Sequence, residues 1–240
     1  FEEVKRDHLP GKTPEEVVLL VQVVEQKTGR AGVGGGYSSL NGLVGFANLS
    51  QNNFQGQGKR VYLKTEFGGV QTYEVGYFDP WFGGKPRSIG FNIYNTKYNR
   101  NLYVAGNELT EYEEHRRGGD ITLGRRIRRD VDLSFRFRDE DVQLTPTDST
   151  KPKPTGVANG RLQTFGGVLD KDTRDNRFRP TKGVHDTLSA ETTGGLLRGA
   201  NQYTKYALAL RRYVPISRGG KTVFAVQGVA GRTAVGSGFV

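Results

Sequence analysis

The sequence predicts an all-β fold, an antiparallel transmembrane β-barrel of which about eleven strands are present. Three observations predict it. Apolar and polar residues alternate with period two through nearly all of the chain after Thr28, and no helical period competes with them. Short turns and long loops tend to sort to opposite ends of the strands. Only 35% of the 240 residues are hydrophobic and 34 are glycine, poor material for a thick soluble core but enough for a thin apolar skin.

The first 28 residues differ from the rest. A turn cluster, Pro10-Gly11-Lys12-Thr13-Pro14, precedes the apolar strand Val17–Val24. This segment reads as the C-terminal end of a separate soluble domain leading straight into the barrel, so the expected domains are 1–28 and 29–240. The apolar run is far shorter than the ~20 residues of a transmembrane helix. No signal peptide is visible and the pattern is already under way at Phe1, so more of the natural chain is expected upstream.

The expected strands are Gly29–Ser39, Leu43–Phe54, Arg60–Phe67, Thr72–Phe78, Ser88–Lys97, Glu113–Ile127, Val131–Asp139, Leu162–Leu169, Val184–Thr193, Tyr203–Val214 and Thr222–Thr233. The seventh is the clearest. Val131, Leu133, Phe135 and Phe137 alternate with Asp132, Ser134, Arg136 and Arg138, giving one face for lipid and one for a watery lumen. Val61, Leu63, Thr65 and Phe67 alternate in the same way with Tyr62, Lys64 and Glu66, and Ile89, Phe91 and Ile93 with Gly90, Asn92 and Tyr94.

Tight turns follow even-numbered strands at Gln55–Gly58, Gly83–Lys85, Arg128–Asp130 and Ser217–Gly220, and longer connections follow odd ones at Asn99–Tyr112 and Glu140–Gly160. The tight links at Ser38–Gly42 and Gly68–Gly69 and the longer Asp170–Lys182 break this sorting. At one turn stand Asp79, Pro80, Trp81 and Phe82. Trp81 and Phe82 fit an aromatic girdle at the membrane interface, where amphipathic rings favour the headgroup level, and Pro80 ends strand pairing because it has no amide donor. A soluble β-sandwich with one aromatic rim gives the same alternation; detergent-dependent solubility separates the two.

Several chemistries are disfavoured. Without cysteine there is no disulfide, zinc-thiolate site or thiol nucleophile, and His8, His115 and His185 have no ligand spacing. Gly220-Lys221-Thr222 imitates a phosphate loop, but Pro215 stands where that loop needs glycine. Gly32–Gly36 opens no helix, as a dinucleotide fingerprint must. Asp170, Asp172 and Asp175 suggest a calcium loop, yet Arg174 holds a ligand position. No enzyme, cofactor or metal is expected. The net charge of +10 is scattered among apolar positions, which disfavours nucleic acid and suits anionic lipid headgroups, notably at Arg125-Arg126-Ile127-Arg128-Arg129.

The motif order resembles the BamA-type superfamily of outer-membrane β-barrel assembly factors, which carry polypeptide-transport-associated (POTRA) domains. The resemblance rests on Val23–Gly29, Gly32–Tyr37, Asn53–Gly58, Tyr77–Phe82, Asp172–Asp175, Phe178–Gly183 and Tyr213–Ile216, in order along nearly the whole chain. It implies the first eleven strands of a sixteen-stranded barrel in the bacterial outer membrane, following the end of the last POTRA domain. It further implies unfolded outer-membrane proteins as clients, accessory proteins reached through the POTRA domains, and a periplasmic position for the turn holding Arg174, Asp175, Arg179, Pro180 and Gly183. The family's Arg-Gly-Phe/Tyr loop and its last five strands have no counterpart up to Val240.

The first strand carries Gly29, Gly32, Gly34, Gly35 and Gly36 beside Val33 and Tyr37. Glycine gives a strand no side-chain packing and loses most entropy on ordering. In a closed barrel the weakest seam should lie there, and the opened edge would template a client strand as a lateral gate. A second reading stands beside this one: the glycines relieve crowding in a tightly coiled strand. A passive porin and a two-partner-type secretion pore are the rival functions.

Overall fold

Alternating strands joined by turns can satisfy every backbone group in lipid only as one continuous antiparallel ladder. A computed structural model, which describes residues 2–13, 15–104, 107–148, 150, 159–195, 197, 199, 201–217 and 222–236 and no side chains within 102–110, shows that ladder. Its strands are β3 (Gly29–Ser38), β4 (Gly42–Phe54), β5 (Lys59–Gly68), β6 (Gln71–Asp79), β7 (Arg87–Val104), β8 (Asn107–Arg128), β9 (Val131–Pro146), β10 (Gly160–Asp172), β11 (Gly183–Thr193), β12 (Tyr203–Pro215) and β13 (Val223–Val235). They form one eleven-stranded sheet in strict sequence order, a meander of antiparallel neighbours.

Register sorts the side chains into two faces. One row runs Tyr62, Gly76, Asn92, Asp120, Arg138, Thr164, Thr193 across β5 to β11. The row beside it, pointing the other way, runs Val61, Tyr77, Phe91, Ile121, Phe137, Phe165. On that apolar face Phe91, Ile121, Phe137 and Phe165 remain 38–52% exposed. Tyr77 stacks on Phe91 with ring centroids 5.0 Å apart, and Phe135 on Phe165 at 5.9 Å. A continuous apolar surface of this size is untenable in water and ordinary in lipid. Val131, Leu133, Phe135 and Phe137 share it, whereas Arg136 and Arg138 lie on the polar side with Asp120 and Glu140.

The polar face holds bonds that span more than one strand. Tyr62 on β5 reaches over Gly76 on β6 to donate to Glu74 (2.9 Å) and Asn92 (3.3 Å), a path that a Cβ at Gly76 would block. Tyr94 on β7 likewise crosses Gly118 on β8 to donate to Glu140 on β9 at 2.7 Å. The buried apolar cluster is correspondingly small: Val142, Leu144 and Leu162, among the described residues. The β11–β12 connection folds back onto it through a bridge between Leu162 and Gly199.

β7, β8 and β9 run longer than their alternation predicts. Asn99–Tyr112, expected as a loop, is largely a paired extension of β7 and β8, and the first residues of Glu140–Gly160 continue β9; positions 105–106, 149 and 151–158 of these expected loops lie outside the described residues. In the extensions of β7 and β8 both faces carry charge, while that of β9 puts the buried Val142 and Leu144 on the inner face. Lys97 pairs with Glu113 (2.8 Å) on the outer face, and Arg100 with Glu114 (2.6 Å) on the inner one. Past the edge of the lipid nothing selects for an apolar outer side, so the lipid-facing period-two signal stops before the strand does. The expected turn Ser217–Gly220 lies outside the described residues from position 218 onward.

Before the sheet, β1 (Glu3–Pro10) and β2 (Val17–Val24) form a separate two-stranded hairpin joined through the Pro10–Pro14 cluster. β2 is where the sequence put a strand; β1 has no alternation to reveal it. Both faces of the hairpin are exposed, including Val17 at 68% and Leu19 at 65%.

Candidate functional site

The meander puts the entry to β3 and the β4–β5, β6–β7, β8–β9, β10–β11 and β12–β13 connections at one rim, and the remaining connections at the other. β3 pairs with β4 from Gly29↔Gln51 to Ser38↔Gly42, and among the described residues no strand pairs with its other side. On an antiparallel edge, alternate residues present both N–H and C=O outward. Val33 and Tyr37 point to the outer face and are 83% and 80% exposed. Gly32, Gly34 and Gly36 share the inner face.

The glycines of β3 are not equivalent. A Cβ on Gly34 would lie 2.5 Å from the Phe46 ring, which leans from β4 across β3, so packing accounts for this glycine. A Cβ on Gly35 would lie 3.2 Å from the Val44 carbonyl oxygen. A Cβ on Gly32 or Gly36 would meet nothing within 4 Å. Crowding therefore explains part of the run, and at two inner-face glycines no described residue stands within reach of a Cβ.

Asp79 ends β6 and is 5% exposed. Its carboxylate accepts the Trp81 amide (2.9 Å) and lies 3.8 Å from the Lys59 ammonium. Pro80 follows, and Phe82–Gly84 forms a single 3₁₀ turn in which Gly83 and Gly84 take φ of +68°. Trp81 and Phe82 are left half-exposed on this rim.

The β10–β11 connection is a built turn at the same rim. Arg174 holds Asp172 in a bidentate pair (2.9 and 2.8 Å), and this carboxylate raises the pKa of the guanidinium. Asp175 accepts the Thr181 hydroxyl and the amides of Thr181 (2.9 Å), Asn176 (3.0 Å) and Lys182 (3.2 Å). Arg179 is exposed, and its amide donates to Asn176 at 2.9 Å; Pro180 sits between it and Thr181. Gly183 has φ +109°, and a Cβ there would lie 2.4 Å from the Thr173 carbonyl. Asp170 turns away to His185 (2.9 Å) and Thr187 (3.0 Å), so the three aspartates of the calcium-like spacing face different partners.

The Thr181 hydroxyl, then the Thr181 and Lys182 amides, hold the Asp175 carboxyl well below its ordinary pKa. A depressed native pKa means the turn's stabilisation is complete above the unfolded value, about 4, and is lost as pH falls toward the native one. Protease cleavage within 174–182 is expected to accelerate below about pH 4 while the spanning strands stay protected, and Asp175→Asn should show the fast cleavage already at neutral pH. Cleavage of Asp175→Asn at the wild-type rate at pH 7 would remove this account of the turn.

A polar-lined, apolar-coated meander of this kind is a transmembrane β-barrel sheet. The Omp85 superfamily domain matches residues 53–239, and the chain belongs to that family, whose members are bacterial outer-membrane proteins. It is 25% identical over 210 residues to the outer membrane protein assembly factor BamA of Neisseria meningitidis, covering 80% of this chain and 26% of that protein. With BamA of Nitratidesulfovibrio vulgaris the identity is 22% over 215 residues, covering 89% and 26%. Among solved structures, BamA from Haemophilus ducreyi lacking POTRA domains 1–3 superposes with a TM-score of 0.63 at 22% identity, over 99% of this chain and 47% of that one. CdiB from Escherichia coli superposes at 0.60 with 13% identity, over 97% and 45%. The chain thus spans about a quarter of the length of the curated relatives it matches.

Proposed function

We propose that this chain is the first part of the barrel of an outer-membrane protein assembly factor, and that β3 is a lateral gate whose edge pairs with strands of unfolded outer-membrane clients. The observation that carries this reading is the make-up of β3: it is rich in glycine, and Gly32 and Gly36 are not required by packing among the described residues, which makes this the weakest edge to hold closed. In hydrocarbon each unsatisfied backbone group costs several kcal/mol, roughly, so an incoming strand is strongly favoured there. The work is templating and local disturbance of the bilayer, with no covalent step, cofactor or metal. Residues 1–28, with the β1–β2 hairpin, are read as the end of the last POTRA domain, through which accessory proteins and clients are received. The BamA relatives support this reading.

The test is a register ladder. Cysteines at Val33 or Tyr37 of the full-length protein, which has none between residues 1 and 240, are paired with cysteines along the last strand of a client during assembly. Disulfides are expected only at matching positions, because antiparallel partners come close only there. A two-partner-type secretion pore or a porin works through its lumen and needs no such pairing. Absence of the ladder while secretion or conductance persists selects one of those instead.

A further inference from the structure

The outer face carries an anomaly at the rim where β3 begins. Arg87 on β7 and Arg125 on β8 are directly opposite each other in the register, and both are exposed. Like charges directly opposite on one face of an antiparallel pair destabilise it. Neither side chain has an ion pair or hydrogen bond among the described residues. Of the carboxylates nearby, Asp132 is held by Arg126 (2.9 Å) and Asp79 by Lys59 (3.8 Å). At the opposite rim the arginines are matched: Arg100 with Glu114, Arg116 with Glu114 and Glu140, Arg117 with Asp141, and Arg161 with Asp139.

The depth of the Arg87/Arg125 pair is fixed by register. The next outward-facing row into the sheet is Ile89 with Leu123, and the one after it Phe91 with Ile121. One such step along a strand is about 7 Å. The two guanidinium groups therefore sit one step below the apolar band, at headgroup level. The half-exposed Trp81 and Phe82 belong to the turn that leads into Arg87, and a Cβ on Gly83 of that turn would lie 3.2 Å from the Arg87 guanidinium.

We infer that Arg87 and Arg125 form a binding site for the phosphate of an anionic glycerophospholipid in the leaflet at this rim, with its acyl chains against Ile89, Leu123 and Phe135. Facing Cβ atoms on such a pair are about 5 Å apart, so one phosphate lies within reach of both forks, and guanidinium matches phosphate oxygens in bidentate geometry. The anion cancels the repulsion between the two strands. The site holds lipid beside the sheet at the rim bearing the junction with the N-terminal hairpin, and it rests only on the outer face being the lipid face.

Native mass spectrometry of the full-length protein in detergent, given phosphatidylglycerol or phosphatidylcholine, reads the site directly. Phosphatidylglycerol should be retained preferentially, and Arg87→Gln/Arg125→Gln should lower its retention by about tenfold or more. Arg128→Gln/Arg129→Gln, which removes the same charge from the neighbouring turn, should leave most of it, and heat-dependent gel mobility of each variant establishes that the barrel is folded. Equal loss in both double variants would reduce the site to general charge attraction and overturn it. Displacement of the lipid by millimolar inorganic phosphate would show a free-anion site, and unchanged lipid retention with loss of a co-purifying protein would show a protein contact; either result overturns the lipid assignment.

Discussion

Full-length protein in which β3 is tied by a disulfide to the strand that closes the barrel against it is expected to fold, reach the membrane and insert no client. Insertion should fall to the rate of the uncatalysed bilayer and return when the bond is reduced. The expectation follows from where the backbone groups of β3 go. One side is fixed to β4 over ten register pairs, and the other is the only part of this strand that an incoming segment can read. Tyr37 and Val33 suit the cysteine, since both are outer-facing and about four-fifths exposed, so replacing either leaves no cavity. Gly34 must be left alone, because any side chain there displaces the Phe46 ring and costs about 1–3 kcal/mol for a reason unconnected with gating. A locked protein that inserts clients at the normal rate would leave the glycines of β3 with a purely structural role.

The strands were legible wherever lipid lies on one side and water on the other. Leu133, Phe135 and Phe137 against Ser134, Arg136 and Arg138 is the strongest case, and the register puts those two sets on opposite faces. The same rule explains what was missed. Lys97, Arg100, Glu113 and Glu114 extend β7 and β8 beyond the apolar band, where no lipid selects an apolar outer face and both sides carry charge. β1 pairs along its whole length with β2, yet Val4-Lys5-Arg6-Asp7-His8-Leu9 shows no period, because neither face of the hairpin is covered among the described residues. For the candidate site, composition disclosed the glycine run but could not divide it. Only the position of Phe46 separates Gly34, which packing requires, from Gly32 and Gly36, which it does not. The Arg87–Arg125 pair lies 38 positions apart in sequence and has no local signal at all; register alone brings it together.

The inner face supplies the second large effect. Glu140→Ala should destabilise the folded barrel by about 2 kcal/mol, and Glu113→Ala by less than about 1 kcal/mol. Glu140 is 5% exposed and accepts the Tyr94 hydroxyl at 2.7 Å and Arg116 at 3.0 Å, with Arg138 at 4.0 Å. Arg116 also grips Glu114, itself 4% exposed and held by Arg100 at 2.6 Å. The result is a charged chain across β7, β8 and β9, closed over Gly118, where a Cβ would lie 2.7 Å from that of Glu140. Removing Glu140 leaves the Tyr94 hydroxyl without its acceptor and Arg116 with one carboxylate instead of two. Because Arg116 is 31% exposed to the lumen, the loss falls below that of a fully buried pair. The pair Lys97–Glu113 is 35–40% exposed on the outer side, where water screens most of its attraction. Denaturant unfolding in lipid vesicles measures both variants. Tyr94→Phe in the Glu140→Ala background should then cost much less than it does alone, since the bond it removes has already gone. Equal losses for Glu140→Ala and Glu113→Ala would show that the inner-face network does not brace these three strands.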